Sequence, residues 1–380
     1  MYSYKFRQIH LITTARCNLH CTYCYEHSKG GANMNCDRIK DALAKDFSLH
    51  KDFHFLISFH GGEPFLAFAE IKEICDWIWQ QPDLTEVLIN IVTNGTVLNQ
   101  EIKEWIRENR RKVVVVLSID GLPEVHNKNR CNSYDRIDLD FFKSVYKRPE
   151  VKMTVPPSAL PYLADGFEYL YGLGMNPTVT LAAEQSYTDA DVEILAKQLV
   201  RLIGFYKSHF DVEVTELLYI PFEKFSLDYT VGHDSLHRCG IGQYRAAYDL
   251  NGNEYPCQTF IADLEVSYDS EKITDIKRQL TCSWKEIQPE CKDCVIAPVC
   301  SSCYGLNWVN RGNIGNIDSA YCKMQKVLIQ GAASLWAYIL SNMDKYPWIK
   351  NMSSNLLYHK ISGIKELKNK LYGSATEKEI

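Results

Sequence analysis

The sequence predicts an α/β fold, a partial (β/α)6 barrel followed by a smaller cysteine-rich module. Three observations carry this reading. Six short apolar runs alternate with segments of helical periodicity between residues 7 and 183. That alternation implies parallel strands joined by right-handed crossovers. After about residue 230 the alternation stops, and eight of the fourteen cysteines fall between positions 239 and 322.

The strands are read at IHLITT (9–14), FHFLISF (53–59), VLINIV (87–92), KVVVVLSI (112–119), VKMTV (151–155) and TVTLA (178–182). Between them CDRIKDALAKDFSL, AEIKEICDWIWQQ, NQEIKEWIRENR and DLDFFKSVYKR place apolar residues at three- and four-residue steps, as helices do. Strands this apolar are expected to be buried on both faces. A long helix is expected over 188–210, after the sixth strand. The weak periodicity beyond 230 predicts a sparse apolar core held together by metal, since ligand binding energy can act as folding energy. Residues 323–349 return to helical periodicity, and the charged tail after 350 is expected to fray. The resulting divisions are a barrel over 1–230, a cysteine-rich module over 231–325 and a C-terminal helix and tail over 326–380.

Composition narrows the function classes. The formal net charge of −5 gives no general electrostatic reason to bind nucleic acid. No apolar stretch approaches the roughly 20 residues that span a bilayer, and MYSYKFRQIH lacks the parts of a signal peptide, so no membrane partner and a cytoplasmic location are expected. In that compartment fourteen cysteines point to metal or redox chemistry rather than disulfides.

The loop after the first strand, ARCNLHCTYCYEH (15–27), holds Cys17, Cys21 and Cys24 in the spacing C-x3-C-x2-C. In a barrel of this kind the loops after the strands form the active face. Thiolates suit zinc or iron–sulfur clusters. Three thiolates leave one corner of a four-coordinate site open, which is where a metal centre takes a substrate or cofactor. A zinc site completed by His20 or His27 is the competing reading.

This spacing, with Tyr23 just before the last cysteine, resembles the radical S-adenosylmethionine (SAM) superfamily. The resemblance implies that Cys17, Cys21 and Cys24 hold a [4Fe–4S] cluster whose fourth iron chelates SAM. One electron from the cluster then cleaves SAM to a 5′-deoxyadenosyl radical that takes hydrogen from substrate. Motifs after later strands add to it. HGGEP supplies Gly61, Gly62, Glu63 and Pro64, a turn the resemblance assigns to the SAM amino group; TNG supplies Asn94. SIDGLPEVHNKNR supplies Ser118 and Arg130, and an Arg fork suits a carboxylate because it can donate two parallel hydrogen bonds. Leu181 lies where the family stacks adenine. Asp120, His126 and Arg130 could instead be surface loop residues.

The second cysteine set resembles the SPASM extension of peptide- and protein-modifying radical SAM enzymes, which makes the full fold class a partial (β/α)6 barrel with a C-terminal iron–sulfur SPASM domain. Cys239, Gly252 and Cys257 follow its C-x9–15-G-x4-C pattern, and Cys291, Cys294, Cys300, Cys303 and Cys322 follow the rest, with two residues rather than three before Cys303. Carried over by position, Cys291, Cys294, Cys300 and Cys322 would ligate one auxiliary [4Fe–4S] cluster. Cys239, Cys257 and Cys303 would hold another, either open or completed by His233 or His237. Structural zinc competes here too, although zinc ribbons space their cysteine pairs by about 15 to 20 residues. Cys36, Cys75, Cys131 and Cys282 match no motif and read as small hydrophobes or incidental thiols.

Together the resemblances imply SAM, three [4Fe–4S] clusters, a reductant such as flavodoxin or ferredoxin, and a ribosomally made precursor peptide that receives an oxidative crosslink, thioether or carbon–carbon. Sulfatase-maturing relatives carry an Asp base directly after the cysteine matching Cys257. Here it is Gln258, and an amide cannot accept that proton. Sulfatase-maturase-like oxidation, epimerisation and radical chemistry on a small molecule are the alternatives. The chain begins almost at its first strand, so leader recognition is expected to use these surfaces or a separate leader-binding protein.

Overall fold

In this computed structural model the described residues are 5–26, 30–82, 84, 87–182, 185–214, 217–225, 237, 239–264, 268–300 and 302–372. All six expected strands form: β1 (Lys5–Ile12), β2 (Phe53–His60), β3 (Val87–Thr93), β4 (Val113–Ser118), β5 (Glu150–Val155) and β6 (Asn176–Leu181). They pair in parallel with their neighbours in chain order, and β6 and β1 do not pair with each other, so the barrel is open. The helices between them are α1 (Cys36–Leu49), α2 (Phe68–Trp79), α3 (Gln100–Asn109), α4 (Pro123–Asn129), α5 (Leu139–Val145) and α6 (Leu163–Gly172). After β6 comes α7 (Asp189–Ser208), whose start is fixed by a capping box between Thr188 and Asp191.

Alternate strand residues, among them Ile9, Ile57, Ile91, Val115 and Met153, are buried in one continuous core. The opposite faces are not all covered. Leu88 is 55% and Val114 41% exposed, which corrects the expectation of burial on both faces. The signal was there in the period-2 alternation of VKMTV, whose Lys152 and Thr154 face away from the core while Val151, Met153 and Val155 are buried.

The cysteine-rich segment opens with β7 (Arg245–Tyr248) and β8 (Glu254–Tyr255), joined through a turn in which Gly252 takes a φ of +76°. This hairpin extends the barrel sheet, with β7 parallel to β1 and Gln8 opposite Arg245. Four- and two-residue strands are too short to show periodicity, which is why they escape a sequence reading. Further on lie α8 (Gln258–Leu264), α9 (Ser270–Gln279), α10 (Trp284–Ile287) and α11 (Tyr304–Arg311). The segment has an apolar core of its own, in which Tyr255, Phe260, Ile273, Ile276 and Tyr304 are buried with Ile12 of β1. The expectation of a sparse core is thus corrected.

Residues expected to be helical from 323 lie mostly in α12 (Ser319–Ser341), which packs along α7. Within the described residues the tail does not fray as expected: α13 (Ser354–Tyr372) packs against the turn Phe222–Phe225. Its Lys360 is fully buried, 3.2 Å from Glu223 and with its ammonium over the Trp336 ring. No helix among the described residues is long and apolar enough to cross a membrane.

Candidate functional site

The cysteine loop is held by backbone contacts that demand glycine. Gly62 N–H donates to Thr14 O at 2.9 Å and Glu63 N–H to Arg16 O at 2.8 Å, so the turn after β2 lies directly on the loop after β1. A Cβ on Gly61 would stand 2.4 Å from Thr14 O, and one on Gly62 2.2 Å from Arg16 O and 3.0 Å from Cys17 Cβ. Gly61 also has a φ of +133°. Gly62→Ala is therefore expected to cost about 2 kcal/mol through backbone overpacking, and to lower iron uptake by the adjoining loop, read by iron assay on anaerobically reconstituted protein.

Glu63 is buried and fastens this turn to the next. One carboxylate oxygen accepts from Thr93 Oγ1 at 2.6 Å and from Phe65 N at 3.2 Å, the other from Asn94 N at 2.8 Å. Burial raises its pKa, and these three hydrogen bonds oppose the rise. Asn94 passes the connection on, donating to Asn18 within the cysteine loop at 2.9 Å.

The fourth strand's loop latches the same segment from the other side. Thr22 N–H donates to Asn129 O at 2.9 Å, and Tyr23 OH donates to Asp120 Oδ2 at 2.6 Å. Asp120 also pairs with Arg130 at 3.0 Å and accepts from Asn129 and from Thr154 N. The Arg130 guanidinium lies 5.4 Å from the Tyr23 ring centroid. Asp120, His126 and Arg130 are all buried, so the surface-loop alternative does not hold.

These contacts converge on a cavity of about 310 Å³ above the polar face of the sheet. Its wall includes Cys17, Cys21, Cys24, Tyr23, Gly61, Gly62, Glu63, Asn94, Ser118, Arg130 and Leu181. Pro64 alone among the residues expected to bind SAM is absent from it, being buried at the first turn after Glu63. The sequence reading missed His60, Lys152, Thr154 and Thr180, which form the floor. Burial pushes the Cys21 thiol up to about 11, with Arg130 opposing. Three thiols facing a cavity of ligand size, its wall mixing apolar and polar side chains, fit a cluster with an open corner beside a bound SAM. His20 is exposed and off this wall, and His27 lies outside the described residues.

A second cavity of about 410 Å³ is lined by Cys239, Cys257 and Cys303. It shares Thr180, Leu181, Gln258 and Thr259 with the first. Burial raises the Cys257 and Cys303 thiols, Cys303 to about 12, and the three cysteines feel one another's charge. The donor set fits a cluster. His237 is buried and both its ring nitrogens are engaged, with Tyr304 OH at 3.1 Å and Leu280 O at 2.7 Å, which leaves it no ligand role. His233 lies outside the described residues.

Cys291, Cys294 and Cys300 sit on successive tight turns, and Cys322 lies in the first turn of α12. All four are half-buried and border neither cavity. Of the unassigned cysteines, Cys75 is core, Cys36 is half-buried, and Cys131 and Cys282 are exposed. Cys131 hydrogen-bonds through sulfur to the His20 backbone, a further latch on the cysteine loop.

An open parallel barrel with a cysteine-lined cavity at the C-terminal ends of its strands defines a cofactor-binding α/β protein. Residues 11–138 match the Radical SAM superfamily. A cysteine-type anaerobic sulfatase-maturating enzyme of Clostridium perfringens is 33% identical over 144 residues, 36% of this chain and 37% of that one. The chain spans 37% to 59% of the length of curated relatives matched at that identity. Among solved structures, native anSMEcpe with bound AdoMet and Cp18Cys peptide matches with a TM-score of 0.68 at 18% identity, covering 88% of this chain and 99% of that one. Streptococcus suis SuiB bound to precursor peptide SuiA matches with a TM-score of 0.58 at 16% identity, covering 84% and 76%. The match in sequence to the Radical SAM superfamily is thus accompanied by a likeness in fold to anSMEcpe and SuiB.

Proposed function

We propose that this chain is a radical SAM enzyme that acts on a ribosomally made precursor peptide and installs an oxidative crosslink, thioether or carbon–carbon. The observation that carries this reading is the pair of adjoining three-cysteine cavities, which meet at Thr180, Leu181, Gln258 and Thr259. With iron–sulfur clusters and SAM bound, the site would supply a carbon radical and a nearby acceptor for the electron that an oxidative crosslink sheds. Ser118 and Arg130 would orient the SAM carboxylate, Arg130 being aimed by its pairing with Asp120. The Gly61–Gly62 turn would hold the amino end, and the cavity walls would keep out water so that the radical meets its intended C–H bond. Cys291, Cys294, Cys300 and Cys322 would hold a third cluster. A reductant such as flavodoxin or ferredoxin, and a leader-binding protein where the chain's own surfaces do not serve, would complete the system.

Sulfatase-maturase-like oxidation is the second reading, favoured by the identity to the C. perfringens enzyme. Gln258 on the shared wall argues against it, because an amide supplies no base. The test incubates holoenzyme, SAM and dithionite with short peptides encoded beside the gene and reads peptide mass. Loss of two hydrogens is expected. Exchange of a cysteine sulfur for oxygen together with loss of two hydrogens, which leaves a formylglycine aldehyde, would favour the second reading, and unchanged mass with deuterium uptake would mean epimerisation.

A further inference from the structure

The second cavity contains an arrangement that the expected chemistry does not use. Arg245 stands at the start of β7 and lines this cavity beside the three cysteines. Its Nε is buried without a hydrogen-bond partner, and it forms no ion pair among the described residues. No Asp or Glu among the described residues lines the cavity; Glu254 shares a neighbouring cavity with Arg245 but pairs with Lys277. The guanidinium's field reaches the Cys257 thiol on one side and the His10 imidazole on the other. His10, its ring tilted against His60 at 4.9 Å and its ring nitrogens buried, has its basicity held well below normal by burial and by His60, Arg245 and Lys152, so it stays neutral and contributes no charge. Arg245 thus places a positive charge without an ion-pair partner among the described residues against the thiols, on a wall to which Lys224 adds a second cation.

Arg245 is half-buried, and a buried Nε without a hydrogen-bond partner is costly unless an acceptor or a negative group comes beside it. Three thiolates around a cluster are negative, and adding an electron makes that site more so. A fixed positive charge in a low-dielectric wall therefore stabilises the reduced state more than the oxidised one and raises the reduction potential. Gln8, paired with Arg245 across the β1–β7 ladder, is neutral and does not cancel it.

We propose that Arg245 is a positioning residue that sets the reduction potential of the cluster held by Cys239, Cys257 and Cys303, keeping it high enough to accept an electron from the reaction in the adjoining cavity. This rests on the assignment of a cluster to those cysteines. A lysine would preserve the effect in part, a neutral side chain would remove it, and a glutamate would reverse it.

The test uses the full-length chain carrying Cys17→Ala, Cys21→Ala and Cys24→Ala, so that only auxiliary clusters remain. It is reconstituted anaerobically with iron and sulfide, titrated with Ti(III) citrate and read by electron paramagnetic resonance. The signal that disappears on adding Cys257→Ala belongs to this cavity. At the parent midpoint potential, Arg245→Gln is expected to lower the reduced-to-oxidised ratio of that signal about tenfold, a shift of about 59 mV for one electron. Arg245→Lys is expected to stay near the parent, and Arg245→Glu to fall below the Gln variant. If the Gln variant does not load iron, Arg245→Met, which keeps the stem without the charge, takes its place. Loss of loading in both would mark a structural role and overturn the inference. So would one midpoint across the charge series. Absence of any signal dependent on Cys257 would instead overturn the cluster assignment beneath it.

Discussion

Replacing Asp120 by Ala is expected to destabilise the protein by about 3–5 kcal/mol, the usual cost of leaving a buried ion without its partner. Asp120 is 1% exposed and Arg130 8%, and the pair stands 3.0 Å apart beneath the cysteine loop. Removing the carboxylate leaves the guanidinium uncompensated and also takes the acceptor from Tyr23 OH, Asn129 and Thr154 N. Asp120→Asn keeps an acceptor oxygen and is expected to cost clearly less, although the charge is lost. Denaturant unfolding of the two variants checks the order. Because Arg130 and Tyr23 share the cavity wall, both variants are also expected to weaken SAM binding, measured by equilibrium dialysis. Equal stability of Asp120→Ala and the parent protein would mean that this pair does not hold the loop.

The second large effect concerns the cysteines themselves. Cys21→Ala is expected to reduce 5′-deoxyadenosine formation by more than about 100-fold, beyond the 10–100-fold typical of losing a residue that merely supports a metal ligand. Cys131→Ala, which removes two sulfur hydrogen bonds to the His20 backbone but no cluster ligand, is expected to retain most of the activity. Chromatography of the nucleoside product after anaerobic incubation with SAM and dithionite reads both. Comparable losses in the two variants would place the chemistry outside the C-x3-C-x2-C loop.

Much of this site was legible before any coordinates because chemistry-bearing residues sit at fixed offsets in loops that follow strongly apolar strands. Cys17, Cys21 and Cys24 follow β1, the GGE turn follows β2, Asn94 follows β3, and Ser118 ends β4. Strand order then brings them to one cavity. What the sequence hid depended on tertiary contact. The two glycines of HGGEP read as room for a ligand, yet the backbone they approach is Thr14–Cys17. Lys152 and Thr154 alternate with buried Val and Met and so looked like parts of a uniformly apolar strand. His237 resembled a ligand because its hydrogen bonds to Tyr304 and Leu280 join positions far apart in the chain. Arg245 carries no motif, and its place on one wall with Cys257 and Cys303 is visible only in the fold.

The tail shows the same limit from another direction. Lys360 belongs to a run that reads as charged and solvated, yet it is enclosed by Glu223, Trp336 and Tyr219. A buried lysine takes its place through a distant carboxylate and two ring faces, none of which local periodicity records.

The central claim is that Cys17, Cys21 and Cys24 hold a cluster with one corner left for SAM. Anaerobic reconstitution of the full chain, followed by addition of SAM to the dithionite-reduced protein, tests it most directly. The account predicts about twelve iron and twelve sulfide per chain, the content of three cubane clusters. It also predicts a change in the paramagnetic resonance spectrum on adding SAM, and release of 5′-deoxyadenosine. A colourless protein containing zinc and no acid-labile sulfide, or a reduced cluster whose spectrum ignores SAM, would contradict it.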